Sequence, residues 1–342
     1  MNVNSRVLVI GDIILDKYIN GHYIKRVDDE GNNIFLEKEI IYRAGGAGNV
    51  ACNIAQSEIS TTLIGMLGTD IESKCCYSIL THNSVDPSML MIDCDWSIPI
   101  VIRYIDQHKQ IFRSDRGTNT GIKECTELAI IEYLKKYICF FNSILIVDYQ
   151  KGLLSTDLIK EIIKLSTQYK KRIIIDTKSK YLLPFTGSYL IKMNHKELQM
   201  ATGIICNSSY NIQKAAFLMI EQYQCHYFLT TWGKNGIILS SNNNSSIYIE
   251  NQSENPPVCT IGAGDTVTAY LLIGIENNLT MEQCMILASA AAETAVSKPM
   301  TTVLNEPLPD IQLLKKNINC RYINKNGGIQ HGQNSTWNQY WA

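Results

Sequence analysis

Charge is scarce in this chain. Asp, Glu, Lys and Arg make up 18% of its 342 residues and nearly cancel, to a formal net charge of -1. The usual share is about a quarter, so disorder driven by charge excess is excluded. A strongly basic face is excluded too, and neither nucleic acid nor an anionic membrane is an expected partner. The short cluster Lys170-Lys171-Arg172 reads as a solvated helix end before a buried strand. No C-x-x-C pair occurs among the 11 cysteines, which leaves out a zinc ribbon and a thioredoxin-like redox site. Their number is odd, their spacing irregular, and many sit in apolar runs such as Ala51-Cys52-Asn53 and Ile138-Cys139-Phe140. A thiol there acts as a small hydrophobe, and a reducing cytosol is its natural setting. Long apolar runs are missing as well. The first, Val7–Ile10, stops at Gly11-Asp12, too short for a signal peptide, and no stretch approaches a membrane span. There is no internal repeat.

What the chain does have is 45% hydrophobic residues, enough for a sizeable core. Short β-branched runs alternate with longer segments of helical period. Arg6–Ile10, Thr61–Met66, Ser143–Val147, Arg172–Ile175, Tyr189–Lys192 and Tyr227–Thr230 read as buried strands. Asn49–Gln56, Glu72–Thr81, Glu124–Cys139, Thr156–Tyr169, Tyr210–Tyr223, Gly264–Asn277 and Met281–Ser297 read as helices. Such alternation argues for an α/β fold, with a mostly parallel central sheet and helices on both faces. Two stretches break the pattern. Ile34–Tyr42 alternates as a strand, and Ile98–Asp106 and Gln110–Asp115 read as strands around a turn at Gln107-His108-Lys109. They suit a small sheet with one open face, read here as a lid from about 17–44 and 94–116. Edge strands of the main sheet are the alternative. The expected domain is 1–305. Beyond it Asn305-Glu306-Pro307-Leu308-Pro309 punctuates, and Asn, Gly and Gln enrich the end, so 306–342 reads as a tail, partly disordered or loosely docked. Trp337 and Trp341 are odd for a free tail and suggest packing on the body or a neighbour.

The strongest chemical signal is Thr260-Ile261-Gly262-Ala263-Gly264-Asp265-Thr266 before a helical segment. Glycines permit a tight turn, and the free N–H groups at a helix start make a positively polarised cup for an anion. Asp265 in that cup either caps the helix or takes a proton from a hydroxyl beside a transferring phosphoryl group. A second glycine turn, Ala44-Gly45-Gly46-Ala47-Gly48-Asn49, opens another helix and lets a ligand approach the main chain; Asn49 offers a donor and an acceptor. Neither a G-x-x-x-x-G-K-[ST] loop nor a dinucleotide fingerprint is present.

Taken in order, over roughly 6–303, these residues resemble the ribokinase-like (PfkB) carbohydrate kinases. Gly45-Gly46 with Asn49 looks like the family's first signature, and Ile261–Asp265 like its second. Asn194-His195-Lys196-Glu197 is similar to its N-x-x-E, which implies a magnesium–phosphate role through water. Thr231-Trp232-Gly233-Lys234-Asn235-Gly236 resembles the turn beside the nucleotide, and Gly11–Asp16 the sugar-binding start. Within the family the likeness runs to the heptose 7-phosphate kinases. It is carried by Gly11-Asp12-x-x-Leu15-Asp16-Lys17-Tyr18, Arg26–Glu30, His108–Asp115, Asp148-Tyr149-Gln150-Lys151-Gly152 and Asp176-Thr177-Lys178.

The resemblance implies a ribokinase-like fold and a cytoplasmic kinase that transfers the γ-phosphoryl group of MgATP to a sugar hydroxyl. The acceptor it implies is the anomeric hydroxyl of a heptose 7-phosphate. It implies Asp265 as the base and Gly262, Ala263 and Gly264 as an anion hole. Asp12, Asp16, Gly45, Gly46, Asn49, Arg113, Asp148 and Lys151 are the expected substrate residues. Lys178, Asn194, Glu197, Thr231, Gly233 and Gly236 are the expected ATP residues, with Asn194 and Glu197 holding magnesium through water. Arg113 and Lys151 are the cations for a substrate phosphate; for Arg113 the alternative is a salt bridge with Asp115 or Glu37. A second copy of the chain meeting at the lid is a further expected partner. Two departures stand out. Cys259 replaces an acid that orders a cation-binding loop, so potassium activation is not expected. Ser297-Lys298-Pro299-Met300 replaces a glycine-containing stretch near the adenine side. Bifunctional heptose enzymes carry a nucleotidyltransferase domain after the kinase, and too few residues follow here to expect that activity. The alternatives are a kinase for another sugar or a nucleoside, and a non-catalytic binding protein that senses sugar or nucleotide.

Overall fold

The computed structural model describes residues 5–27, 33–107, 109–117, 121–251, 253, 255–305, 308, 311–324 and 329–331. Its strands are β1 (Arg6–Gly11), β2 (Ile13–Val27), β3 (Asn33–Gly46), β4 (Ser60–Leu67), β5 (Leu90–Ile92), β6 (Ile100–Asp106), β7 (Lys109–Arg116), β8 (Ser143–Asp148), β9 (Arg172–Thr177), β10 (Leu190–Asn194), β11 (Tyr227–Thr231), β12 (Gly236–Ser241), β13 (Ser245–Glu250), β14 (Cys320–Asn324) and β15 (Ile329–His331). Its helices are α1 (Ala47–Ala55), α2 (Ile71–His82), α3 (Glu124–Tyr137), α4 (Thr156–Gln168), α5 (His195–Thr202), α6 (Ser209–Tyr223), α7 (Ala263–Glu276), α8 (Met281–Val296) and α9 (Ile311–Asn317).

Among the described residues the main sheet has eleven strands, in the order β15-β14-β13-β12-β11-β10-β9-β8-β1-β4-β5. From β5 to β11 every neighbour is parallel. From β11 to β15 every neighbour is antiparallel. The parallel strands are apolar on both sides because helices cover both faces. Alternate residues of β1 show this: Val7 and Val9 join the cluster of α1, α2, α7 and α8, whereas Leu8 and Ile10 join that of α3, α4, α5 and α6. A four-stranded second sheet, β3-β2-β6-β7, stands apart, so the lid strands are a separate sheet and not edges of the main one. β1 ends at Gly11 and β2 starts at Ile13, so Asp12 is the joint between the sheets. The chain returns through Gly46, whose φ of +55° and whose place 2.6 Å from the Asp12 carbonyl, measured from a Cβ built on it, leave room for glycine alone.

Four elements escape the apolar pattern. β2 runs on past the motif read at its start because β3 pairs with it from Ile13 to Val27 and β6 from Leu15 to Gly21. β12 and β13 are not picked out in the sequence; each carries two serines among its apolar residues. They stand as strands because their buried hydroxyls are satisfied: Ser240 and Ser246 share a 2.8 Å hydrogen bond, and Gln213 Nε2 donates to Ser246 at 3.1 Å. α5 is short and is fixed by its cap. Beyond residue 305, α9 follows, and β14 pairs with β13. Trp337 and Trp341 lie outside the described residues, as do His108 and Asp28-Asp29-Glu30. All the cysteines are free, and Cys52, Cys76, Cys206, Cys225 and Cys284 are buried. Cys139 corrects the reading of its apolar run: it lies exposed on the short turn after α3.

Candidate active site

The site grows from the first turn of α7. Gly262, in the left-handed region at φ 79°, precedes that turn and provides no side-chain cap. The N–H groups of Gly264 and Asp265 have no carbonyl four residues back within the helix and no other partner among the described residues. Asp265 lies within that first turn, 3% exposed. It does not cap its own helix. Its Oδ2 accepts from Asn49 Nδ2 at 3.0 Å, and its Oδ1 accepts from the Tyr149 hydroxyl at 2.5 Å. Asn49 is held in turn by Asn53, which donates to its side-chain oxygen at 3.1 Å. Burial, then the charge of Asp176, push the Asp265 carboxyl up to about 6, against the pull of Tyr149, Asn49 and Lys192.

Beneath this turn lies a buried ion pair. Lys192 Nζ on β10 donates to both carboxylate oxygens of Asp176 on β9 at 3.0 Å, and Thr268 donates to the same acid at 2.5 Å. The ammonium comes within 3.0 Å of a Cβ built on Gly264, so a glycine at 264 leaves it room. The charges of Asp176, Glu197 and Asp265 outweigh the burial of Lys192 and hold its pKa above the ordinary lysine value. Lys178 reaches the site from the end of β9, with its ammonium 3.5 Å from the centroid of the Tyr149 ring. Desolvation lowers its pKa, while Asp265, Glu197 and Asp176 oppose the shift.

Asp12 faces a different set of partners. Its Oδ2 accepts from the backbone N–H of Tyr149 at 3.0 Å and of Lys151 at 2.9 Å, and its Oδ1 from Leu153 at 3.1 Å. It therefore pins the loop after β8, where Gln150 has φ 56° and Gly152 φ 106°. Its carboxyl is pushed up to about 6 by burial, in spite of those bonds. Asp148 caps the same loop through Gln150 N at 3.0 Å and takes the Thr177 hydroxyl at 2.7 Å. Burial raises its pKa as well.

Asp16, on β2, meets the buried Arg103 of β6 at 2.5 Å and the Thr301 hydroxyl at 2.9 Å. Tyr18 completes this group: it lies under the Arg103 guanidinium, and its hydroxyl accepts from Thr301 N at 2.9 Å. The second sheet is thus tied to the stretch after α8 that contains Ser297–Met300. Gly45 sits beside Asp16, which would meet a Cβ there at 2.8 Å. Arg113 makes two 2.6 Å bonds to Asp115, with about half of each side chain exposed. Lys151 is half-buried and lowers the Asp115 carboxyl by its charge, after the larger effect of Arg113.

Asn194 and Glu197 form a capping box on α5. Asn194 Oδ1 takes the N–H groups of Lys196 and Glu197 at 2.9 Å, and Glu197 Oε2 takes Asn194 N at 2.7 Å. The other Glu197 oxygen has no hydrogen bond among the described residues, and burial raises the pKa of the group. Thr231 ends β11, and Gly233 and Gly236 bound the turn that follows, with open space around Gly233. Cys259 is half-buried; its N–H and that of Val258 both bond to the Val296 carbonyl, at 3.1 and 2.8 Å.

The structure thus gathers Asp265, Asn49, Lys178 and Glu197 around the α7 turn. It places Asp16 with Gly45, and Asp12 with Asp148 under the neighbouring loop. Arg113 and Lys151 belong to the rim. Sequence reading did not single out Tyr149, Asp176, Lys192, Arg103 and Thr301 as site residues. Lys192 and Arg103 carried a signal: each is a cation inside an apolar strand, a place it keeps only when paired.

The model of the pfkB family carbohydrate kinases matches residues 4–307. Curated relatives include the bifunctional protein HldE of Helicobacter pylori (strain HPAG1), 29% identical over 91% of this chain and 69% of that protein. The bifunctional protein HldE of Aliarcobacter butzleri (strain RM4018) is 29% identical over 90% of this chain and 64% of that protein. Among solved structures, Arabidopsis thaliana ribokinase complexed with ribose and ATP superposes with a TM-score of 0.69 at 18% identity, covering 91% of this chain and 98% of that one. Escherichia coli phosphofructokinase-2 in complex with potassium gives a TM-score of 0.75 at 18% identity, covering 92% and 99%. At such identity these two speak to the fold alone, which is ribokinase-like. The chain belongs to the pfkB family of carbohydrate kinases, and it is an ATP-dependent phosphotransferase with a sugar hydroxyl as acceptor.

Proposed function

We propose that this kinase phosphorylates the anomeric hydroxyl of a heptose 7-phosphate, giving the 1,7-bisphosphate, with Asp265 as the base. One observation supports the base above all: a buried carboxylate in the first turn of an uncapped helix, with its proton affinity raised to about 6. The neighbouring free N–H groups point to an anion, so a hydroxyl and a phosphoryl group can meet there. In this reading the hydroxyl gives its proton to Asp265 as its oxygen attacks the γ-phosphorus in line. Of the expected anion hole Gly262, Ala263 and Gly264, the Ala263 N–H already meets the Thr260 carbonyl at 3.4 Å, so in this reading the Gly264 amide and the adjoining Asp265 amide, with Lys192 below, balance charge on the transferring oxygens. Asn49 holds the base, and Asp16 and the Gly45-Gly46 main chain bind sugar hydroxyls.

Magnesium bound with ATP would neutralise phosphate charge. Glu197 fits a role toward it through water, because one of its carboxylate oxygens stays unbonded while the other closes the α5 cap. Asn194 has its oxygen engaged by two N–H groups in that cap, so the metal role expected of it does not suit its remaining NH2 group, which would donate to a phosphate oxygen instead. Lys178 serves the nucleotide phosphates, and the turn from Thr231 to Gly236 the base and ribose.

The heptose phosphate rests on the likeness at Asp148–Gly152 and His108–Asp115. Arg113 with Lys151 supplies cations for the distal phosphate. One observation favours a second reading, an unphosphorylated sugar: Arg113 is already paired to Asp115. On the second sheet Leu36, Ile40 and Phe112 are exposed, which supports a second copy meeting there. The test of the acceptor is a phosphorylation screen with sugars, nucleosides and heptose 7-phosphates, the product position being read by NMR. Turnover confined to sugars without a phosphate overturns the heptose phosphate reading. No ATP consumption with any acceptor, in folded protein, favours a binding protein.

A further inference from the structure

Tyr149 is the one side chain that touches Asp265 from the loop Asp12 pins. Its hydroxyl donates to Asp265 Oδ1 at 2.5 Å while Asn49 fills a position on Oδ2. Its backbone N–H is fixed on Asp12 at 3.0 Å. Its ring carries the Lys178 ammonium on one face at 3.5 Å. A phenol held at three points is placed for something other than filling space.

We propose that Tyr149 is a positioning residue of phosphoryl transfer: with Asn49 it fixes the plane of the Asp265 carboxylate and holds it ready as a proton acceptor. The inference rests on the reading of Asp265 as the base. A carboxylate has about four lone-pair positions, and two hydrogen bonds leave room for the acceptor hydroxyl. The two donors, at different oxygens, stop the carboxylate from rotating, which a single donor cannot do. Charge makes the same point. Asp265 is desolvated and faces Asp176 from β9, while Lys192 from β10 and Asn49 from α1 oppose them. Tyr149 adds a neutral donor to the side that favours the anion, and it stays neutral because its own pKa is raised well above 10 by burial and by Asp265 and Asp176. Glu197 from α5 adds to that rise. Lys178, set over the ring, draws electron density from it and sharpens the hydroxyl as a donor.

The test is Tyr149→Phe, which keeps the ring and removes the donor. The probe is the free protein labelled with carboxyl-13C aspartate. The Asp265 resonance is the one absent from Asp265→Asn, and it titrates without substrate. Loss of one hydrogen bond to a charged group should move its midpoint up by about one pH unit. The acidic limb of kcat/KM for the sugar identified in the screen should move by the same amount, with the alkaline plateau changed far less. An unmoved midpoint overturns the proposal. So does a shifted midpoint with an unmoved kinetic limb, or a plateau that rises because Tyr149 had merely obstructed the site. If Asp265→Asn keeps full turnover, the reading of Asp265 as base fails instead, and the titration of Tyr149→Phe still reports on the hydrogen bond by itself.

Discussion

Asp12 and Asp265 both hold Tyr149, one through its backbone N–H and the other through its hydroxyl. They are equally buried, at 3% exposure, and both are pushed up to about 6. Their partners differ in kind. Asp12 accepts three backbone N–H bonds from one loop. Asp265 accepts two side-chain bonds and stands beside unpaired amides of a helix start. A carboxylate whose bonds all come from the backbone shapes the chain. One held by side chains, with lone pairs to spare, is available to a ligand. The environment of each acid, more than its burial or proton affinity, separates a scaffold role from a chemical one.

The largest test of that contrast is turnover. Asp265→Asn keeps size and removes the base, so kcat should fall about 10²–10⁴-fold while ATP binding, followed by calorimetry, is kept. Near-normal turnover in the folded variant would break the contrast at once. Asp12→Asn should instead cost stability. An amide cannot accept from three donors in that geometry, and its NH2 group would confront at least one backbone N–H. Leaving a buried donor unpaired costs about 1–3 kcal/mol, so urea unfolding should show a loss of that order, with turnover per folded molecule largely kept. Unchanged stability with a raised sugar KM would give Asp12 back the sugar-binding role expected from the sequence.

The pH dependence of stability sharpens the same point. Both acids have folded pKa values above the ordinary 3.8. Each therefore contributes stability that is fully present below about pH 4 and is lost as pH rises through about 6. A rise of this size corresponds to roughly 3 kcal/mol per group as an upper bound. Asp148 and Glu197, also raised by burial, act in the same direction. Stability of the unmodified protein should fall between pH 4 and 6.5, and Asp265→Asn should flatten part of the fall. An identical slope in the variant would mean that Asp265 titrates as an ordinary aspartate.

Much of this was legible in the chain. β1, β4 and β8 to β11 are apolar on both sides, so they appear as continuous runs, and the helices between them as periodic ones. The glycine turn before Asp265 announced an anion site because its local geometry is written in adjacent residues. β12 and β13 were hidden because their serines are satisfied by each other and by Gln213, a distant partner no local pattern reveals. Asn194-x-x-Glu197 was read for a metal, although the same spacing spells a capping box, and the structure forms one. Lys192 could have been found, since a lysine between Ile191 and Met193 needs a buried acid. Its partner Asp176 is sixteen residues away, and only the parallel pairing of β9 and β10 brings them together. Tyr149 stood inside a motif already noted, but its hydrogen bond spans 116 residues.

The smallest expected effect concerns the two loops that lead to these acids. The loop after β8 is pinned by a carboxylate, Asp12. Among the described residues the loop entering α7 shows no such pin: Val258 and Cys259 hang by their N–H groups from the Val296 carbonyl. A neutral thiol offers no charge to a hard monovalent cation, and sulfur prefers softer metals. Turnover of the unmodified kinase should therefore stay nearly flat as potassium replaces a bulky organic cation at constant ionic strength. Cys259→Asp would give the second loop the carboxylate that the first already has, and it should create a potassium response if main-chain carbonyls supply the remaining ligands. A large potassium activation of the unmodified protein would show that backbone alone holds the cation. The two loops would then differ in sequence without differing in function.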